Sequence, residues 1–354
     1  MKIAGSNLIA RYAEKKERNP RIAVFDGFAE KNEIPQHGDK VEEIIRRSTG
    51  LGDQFVQNFQ NSYELKTSYD EVAKAPSNQF RKKLRSLTIE TITGFLGATK
   101  QNIDTILADP NTKIRVINQS QSQCAARISR PFIKELLDDD DFRMKVKESY
   151  NLAAGAHKDT VAEVLLNDVQ NVMNTSRHIA TARKEYKETA KKAHDRGIAH
   201  VVTSGNLGLL TAQYEKLGID APKNAYKSVL ATEYATIIGA TASQGTTTTR
   251  DDKAASFTSV YAGAEFAMHG VNVEVVDSND QTTFGNGTSF AAPQATALIY
   301  DMFQTNPTLT VGEMEDILYK STIAVSATRE QVGAGQVDPL RAIYLAEQAK
   351  FSQA

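Results

Sequence analysis

The sequence predicts an α/β protein with a mostly parallel central sheet, helices on both faces and helical insertions. Short apolar runs typical of buried parallel strands, such as 21–25 and 198–203, alternate with stretches of helical apolar spacing. Such alternation is typical of a parallel sheet covered on both sides. No internal repeat and no long Pro/Gly linker divides the chain. We therefore predict a single domain over residues 1–354, with a polar insertion at 50–87 and a helical insertion at 124–180.

Composition excludes several classes of protein. The 354 residues carry a formal net charge of −1, so nothing draws the chain to nucleic acid or to an anionic membrane. Cys124 is the only cysteine, which rules out an internal disulfide. Apolar runs are too short to span a bilayer, and residues 1–20, a polar helix or arm, are too charged for a signal peptide. We expect a soluble protein that is cytoplasmic or is exported without a recognisable signal peptide.

Between the first strand and residue 200 the elements alternate. A run rich in β-branched residues predicts a strand over 88–98, followed by a helix from Lys100 to Ala108. Another strand is predicted over 113–118. Apolar residues from Phe132 to about Gly197 recur at helical spacing, flanked by Lys, Arg, Glu and Asp, and predict helices with one face exposed.

Two candidate catalytic residues follow one another near the N-terminus. Asp26 ends the first apolar strand, where open α/β sheets place their ligands. His37 precedes Gly38 and opens a helix whose apolar residues at 41, 44 and 45 face a core, which leaves the ring free to face the strand ends. Taken singly, a turn aspartate and a histidine that caps a helix are the commoner roles for such residues.

A third candidate, Ser289, stands between a glycine turn and a run of small residues that leads into an apolar helix from Ala295 to Phe303. This places its hydroxyl at a helix N-terminus, where backbone N–H groups support developing negative charge, with Pro293 in the first turn. A simple helix cap is the alternative. A nucleophile elbow of the α/β-hydrolase type requires glycine two residues after the serine, and Ala291 stands there.

Asp26, His37 and Ser289 occur in the chain order of the subtilisin triad. The Gly-Thr-Ser-x-Ala-x-Pro motif around Ser289 resembles the nucleophile motif of the subtilisin-like serine proteases. Asn206, which follows a buried strand and a glycine, is similar to the oxyanion-hole asparagine of that family. The resemblance covers roughly residues 21–348 and implies the subtilisin-like fold.

The resemblance also implies an activity and the role of each residue. It implies a serine endopeptidase that hydrolyses peptide bonds of a peptide or protein substrate through an acyl-enzyme intermediate. Ser289 would be the nucleophile, His37 the general base and then acid, and Asp26 the group that orients the imidazole. The Asn206 amide and the Ser289 backbone N–H would hold the oxyanion, with help from the Thr288 hydroxyl.

One wall of a substrate cleft is implied by Val116-Ile117-Asn118-Gln119-Ser120, which resembles the corresponding family segment. By the same resemblance we expect Ser120, Gln121, Ser204 and Gly205 to bind substrate. The family segment usually continues Ser-Leu-Gly-Gly. Here the polar run 120–123 replaces the glycines and predicts a narrower or more polar specificity pocket.

No metal or other cofactor is implied by the sequence. The acidic run from Asp138 to Asp141 lacks the alternating ligand spacing and the turn glycine of a calcium loop, and predicts a solvated turn. Calcium dependence stays open, with no site identified.

Two alternatives to a constitutively active protease remain. The chain could be a non-catalytic member of this fold that acts as a binding or scaffold module through its helical insertion. It could also be a latent protease whose cleft is covered by residues 50–87 or 124–196 until a regulatory protein binds residues 124–196.

Overall fold

The structure is a computed structural model that describes residues 21–29, 36–245, 248–276 and 281–352. Residues 1–20, for which the sequence predicts a polar helix or arm, lie outside the described part of the chain. Within it, nine strands form one sheet and two more form a separate hairpin. The strands are β1 (Arg21–Asp26), β2 (Val56–Gln60), β3 (Ile114–Gln119), β4 (Ala199–Thr203), β5 (Thr236–Ala242), β6 (Lys253–Ala254), β7 (Phe266–His269), β8 (Val273–Val276), β9 (Thr282–Gly285), β10 (Thr322–Ile323) and β11 (Gln336–Val337).

The main sheet has the strand order β10-β11-β7-β5-β4-β3-β1-β2. Its strands pair in parallel from β2 through to β11, while β10 is antiparallel to β11 and β6 is antiparallel to β5. The antiparallel pair β8 and β9 forms the hairpin. A mostly parallel central sheet, as the sequence predicts, is confirmed.

Twelve α-helices are found in the described residues. They are α1 (His37–Thr49), α2 (Tyr69–Ala73), α3 (Ser77–Ala108), α4 (Ala125–Asp138), α5 (Asp140–Ser149), α6 (Lys158–Thr175), α7 (Arg177–Asp195), α8 (Gly208–Lys216), α9 (Thr288–Thr305), α10 (Val311–Lys320), α11 (Arg329–Val332) and α12 (Pro339–Ser352). None of these helices is both long and apolar enough to cross a bilayer.

Helices cover the sheet on both faces because successive side chains of each strand point to opposite sides. Along β1, Ala23 and Phe25 join one core with helices α3, α4, α6 and α7. Ile22 and Val24 join the other core, which contains α1, α9, α10 and α12. The two helices that begin with His37 and Thr288 therefore lie on the same face of the sheet.

The prediction of a strand over 88–98 is wrong, because these residues lie inside the long helix α3. The buried side chains around it recur at helical spacing; they are Leu84, Leu87, Thr88, Thr91, Ile92, Phe95 and Leu96. The Thr88 hydroxyl donates to the Leu84 carbonyl at 2.8 Å, so this β-branched residue satisfies its polar atom within the helix. Burial in the core that α3 shares with α4, α6 and α7 outweighs the local β propensity of the segment.

The polar stretch 50–87 contributes to the sheet itself. Its strand β2 pairs in parallel with β1, with Phe59 opposite Phe25. The strand β2 lies at the edge of the sheet, and most of its side chains are at least partly exposed. Its polar sequence is therefore typical of an edge strand. The helical stretch 124–180 becomes α4, α5, α6 and the start of α7.

A buried polar network ties β4 to its neighbours behind the site. His200 Nε2 lies 3.0 Å from the Gln119 side-chain oxygen, and the Gln119 amide donates to the Thr99 hydroxyl at 2.9 Å. Burial lowers the pKa of His200 to about 3, so its imidazole is neutral over the physiological range. The network fixes β3 and β4 side by side, and the candidate site follows the carboxyl ends of both strands.

Candidate active site

Asp26 ends β1, and its carboxylate faces His37, the first residue of α1. His37 Nδ1 lies 2.9 Å from Asp26 Oδ2. Asp26 is 2 % exposed, whereas 42 % of the His37 side chain is exposed. With Nδ1 engaged by a buried carboxylate, Nε2 is the ring nitrogen left for chemistry.

Gly38 allows this contact because α1 begins very close to the end of β1. The Gly38 N–H donates to the Gly27 carbonyl oxygen at 2.9 Å. A Cβ added to Gly38 would lie 2.6 Å from that oxygen and 2.9 Å from Asp26 Cβ, closer than real contacts allow. Glycine after His37 is therefore a steric requirement of the Asp26–His37 pair.

Asp39 closes the connection between β1 and α1, a role that the sequence analysis missed. Its carboxylate accepts hydrogen bonds from the Gln36 N–H at 2.7 Å and from the Ala29 N–H at 3.1 Å. The carboxylate also lies in the first turn of α1, where the helix dipole favours negative charge. An acidic residue three positions after a helix cap was the available sequence signal.

Ser289 is the second residue of α9 and is 8 % exposed. Its backbone N–H is among the first four of the helix, which have no partner within the helix. A Cβ added to Gly287 would lie 3.0 Å from Ser289 Oγ and 3.3 Å from Asn206 Nδ2, so both atoms border the same small space. The nucleophile candidate and the oxyanion-hole candidate are thus brought together.

Phe290 joins the start of α9 to α1. Its ring centroid lies 6.0 Å from that of His37. The ring is buried in a small cluster with Ile44 of α1 and with Val273 and Val275 of the β8–β9 hairpin. This packing holds His37 and the residue next to Ser289 side by side.

Pro293 lies farther into α9 than the sequence analysis predicts, because the helix already begins at Thr288. Lacking an N–H, Pro293 cannot bond the Ser289 carbonyl four residues before it. The Ser120 hydroxyl donates to that carbonyl at 3.0 Å instead. Ser120 is only 5 % exposed, and its hydroxyl anchors the Ser289 backbone, while binding of substrate by Ser120 stays a prediction.

Gln121, for which substrate binding stays a prediction, has a side chain that contacts Asp26. Its Nε2 lies 3.3 Å from Asp26 Oδ1, the oxygen that also accepts the Gly27 N–H at 2.8 Å. Its side-chain oxygen accepts from Asn61 Nδ2 at 2.7 Å. The amide is therefore engaged with Asp26 and Asn61 at both ends.

Asn206 is held by the residue before Ser289. The Thr288 N–H and the Thr288 hydroxyl donate to Asn206 Oδ1 at 2.9 Å and 2.8 Å. The Thr203 hydroxyl donates to the Thr288 hydroxyl at 2.6 Å. Since a hydroxyl has one proton, Thr288 orients Asn206 here and does not itself point a donor at an oxyanion. Asn206 Nδ2 is the donor left on the Ser289 side.

Ser204 and Gly205 link β4 to Asn206. The Ser204 N–H donates to the Ile238 carbonyl at 2.9 Å, and its buried hydroxyl has no hydrogen-bond partner among the described residues. Gly205 has a φ of 91°, which favours glycine, and an added Cβ would lie 2.7 Å from Ser122 Oγ. Tight packing of this turn against Ser122 sets the position of Asn206.

No group of three or more His, Cys, Asp or Glu side chains that could hold a metal ion occurs in the described residues. The acidic run 138–141 lies at the junction of α4 and α5. There the Asp139 carboxylate accepts the Phe142 N–H at 2.9 Å and caps α5.

The family model of the subtilase family matches residues 91–336, more than half of the chain. The chain therefore belongs to the subtilase family, a family of serine peptidases that act on peptides or proteins. The matched range includes Asn206 and Ser289 and begins after Asp26 and His37. A search of curated proteins found no matching relative.

Solved structures of proteases share the fold. The structure of subtilase cytotoxin SubAB assembly matches with a TM-score of 0.55 and 13 % identity over 99 % of this chain and 96 % of that chain. Prenylagaramide maturation protease PagA matches with a TM-score of 0.51 and 14 % identity over 97 % of this chain and 98 % of that chain. A lanthipeptide protease matches with a TM-score of 0.51 and 12 % identity over 95 % of this chain and 90 % of that chain. At these identities the likeness supports the fold alone.

Proposed function

We propose that the protein is a serine endopeptidase that uses Asp26, His37 and Ser289 as its triad and forms an acyl-enzyme intermediate. The observation that carries the proposal is the 2.9 Å contact between His37 Nδ1 and the buried carboxylate of Asp26. These two residues precede the part of the chain that matches the family model. His37 nevertheless begins α1, which lies on the same face of the sheet as α9, the helix whose second residue is Ser289.

Acylation begins when Ser289 Oγ attacks the carbonyl carbon of the substrate. His37 Nε2 takes the hydroxyl proton and then gives it to the leaving amine, so the C–N bond breaks as the acyl-enzyme forms. Asp26 keeps the proton of the neutral imidazole on Nδ1 and stabilises the imidazolium without becoming protonated. Water then attacks the acyl-enzyme with His37 again as base, which releases the second product and restores Ser289.

The negative charge that develops on the carbonyl oxygen is met by two donors, Asn206 Nδ2 and the Ser289 N–H. The start of α9 adds the positive end of its dipole. Thr288 and Thr203 are positioning residues, because the Thr288 hydroxyl holds Asn206 Oδ1 and so aims Nδ2, and the Thr203 hydroxyl donates to that of Thr288.

Asn206→Ala is expected to lower kcat by about 10²–10³-fold, because one oxyanion donor is removed. KM should change little, since the lost bond forms mainly in the transition state. Initial rates on the best-cleaved member of a quenched fluorescent peptide library measure both constants.

The matched control is Asn167→Ala, which removes an exposed asparagine from α6 and should keep the wild-type rate. A kcat for Asn206→Ala within a factor of about three of wild type would remove Asn206 from the mechanism, because a working oxyanion donor contributes far more than that.

A further inference from the structure

Three side-chain amides form a continuous row from helix α3 to Asp26. Asn102 Nδ2 donates to Asn61 Oδ1 at 3.2 Å, and Asn61 Nδ2 donates to Gln121 Oε1 at 2.7 Å. Gln121 Nε2 then donates to Asp26 Oδ1 at 3.3 Å. Asn102 donates from its nitrogen, and Asn61 and Gln121 each accept at the oxygen and donate from the nitrogen, so every donor in the row points towards the carboxylate.

Both ends of the row fix this direction. Asn102 Nδ2 also lies 3.3 Å from the Gln60 carbonyl oxygen, which can only accept. At the other end, the ionised Asp26 carboxylate can only accept as well. If any one amide were reversed, two donors or two acceptors would face each other. Asn61 is 4 % exposed, so its lost partners would not be replaced by bulk water.

The row determines which oxygen of Asp26 remains for His37. Gln121 and the Gly27 N–H both donate to Oδ1, which leaves Oδ2 for His37 Nδ1. Hydrogen bonds to an ionised acceptor are about twice as strong as neutral ones, and aligned amides polarise one another. The row can therefore set the orientation of the Asp26 carboxylate.

We propose that Gln121 is a positioning residue for Asp26, and that Asn61 and Asn102 fix its amide so that helix α3 is coupled to the triad. This inference rests on the proposed function, in which Asp26 orients His37. It also gives a reason for the polar residue at 121, where the family resemblance leads one to expect leucine. A leucine would leave Asn61 Nδ2 without its acceptor and Asp26 Oδ1 with one donor fewer.

Gln121→Glu is the sharpest test, because it keeps the size of the side chain and the acceptor for Asn61 but replaces the donor to Asp26 by a carboxylate. We expect kcat to fall by about 10- to 100-fold with KM changed less than about twofold, as a bond to a charged group is lost and like charges meet. Gln121→Leu should lower kcat by about tenfold. Asn102→Ala, which touches no triad residue, should lower it by about two- to fivefold.

Gln101→Glu is the matched control. It makes the same change of amide to carboxylate on the exposed side of α3, next to Asn102, and should keep the wild-type kcat. If Gln121 were instead a wall of the cleft, its variants would raise KM at constant kcat. That result, or a wild-type kcat for Gln121→Glu, would overturn the proposal.

A readout that does not need turnover separates this inference from the proposed function. In ¹⁵N NMR spectra of the imidazole, the wild-type protein should show His37 protonated at Nδ1, and Gln121→Glu should show a mixture of the two tautomers. An unchanged Nδ1–H signal in folded Gln121→Glu would contradict the positioning role even if the wild-type chain cleaved no peptide. If the wild-type chain cleaved no peptide but Gln121→Glu shifted the His37 tautomer, the proposed function would be contradicted and the positioning role of Gln121 supported.

Discussion

Ser289→Ala and His37→Ala are each expected to lower kcat by about 10⁶-fold, and the double variant is expected to lose no more than either single variant. Nucleophile and base act as one unit, since the hydroxyl is a usable nucleophile only while the imidazole can take its proton. Once one of the two residues is removed, removing the other therefore lowers kcat no further. Steady-state rates of the wild type, the two single variants and the double variant on one quenched fluorescent peptide give the four values of kcat.

His178→Ala is the control for the histidine variant, because His178 is exposed on α7 and distant in sequence from the site. It should keep the wild-type rate. Losses that multiply in the double variant would mean that Ser289 and His37 act independently, which contradicts the triad.

Asp26→Asn is expected to lower kcat by about 10⁴-fold in a protein that stays folded. Two donors, the Gly27 N–H and the Gln121 amide, point at the Oδ1 position of residue 26. The new amide would place its oxygen there and its NH₂ group towards His37. His37 Nδ1 would then have to accept, so that Nε2 would carry the proton and could not act as base.

Asp138→Asn at the exposed end of α4 is the matched control and should leave kcat unchanged. Circular dichroism and thermal unfolding establish that Asp26→Asn is folded before its rate is interpreted. A loss of less than about tenfold would show that Asp26 does not set the tautomer of His37, because an incorrect tautomer costs far more.

Local sequence patterns predicted central strands of the main sheet, such as those at 21–25, 113–118 and 198–203, and the helix that carries Ser289. Apolar runs followed by polar turns mark buried parallel strands, and glycine followed by small residues marks the start of α9. The order of Asp26, His37 and Ser289 along the chain then led to the family, which the match over residues 91–336 shows independently.

Contacts between distant segments could not be predicted in this way. Asn61 and Gln121 are sixty positions apart, and nothing in either neighbourhood indicates that their side chains meet. The anchoring role of Ser120 becomes apparent only once α9 is known to begin at Thr288, since the missing N–H of Pro293 then leaves the Ser289 carbonyl without its helical partner. The incorrect prediction of a strand at 88–98 has a related cause, because burial in a core formed with distant helices, and not local propensity, decides the structure of that segment.

Covalent labelling tests the central claim most directly. A fluorophosphonate probe reacts with a serine only when base and oxyanion donors are assembled around it, and intact mass counts the adducts. The account predicts one adduct on the wild-type chain, mapped to Ser289 by peptide sequencing, and none on Ser289→Ala. A folded wild-type chain that takes no adduct, or one labelled equally in the Ser289→Ala variant, would contradict it.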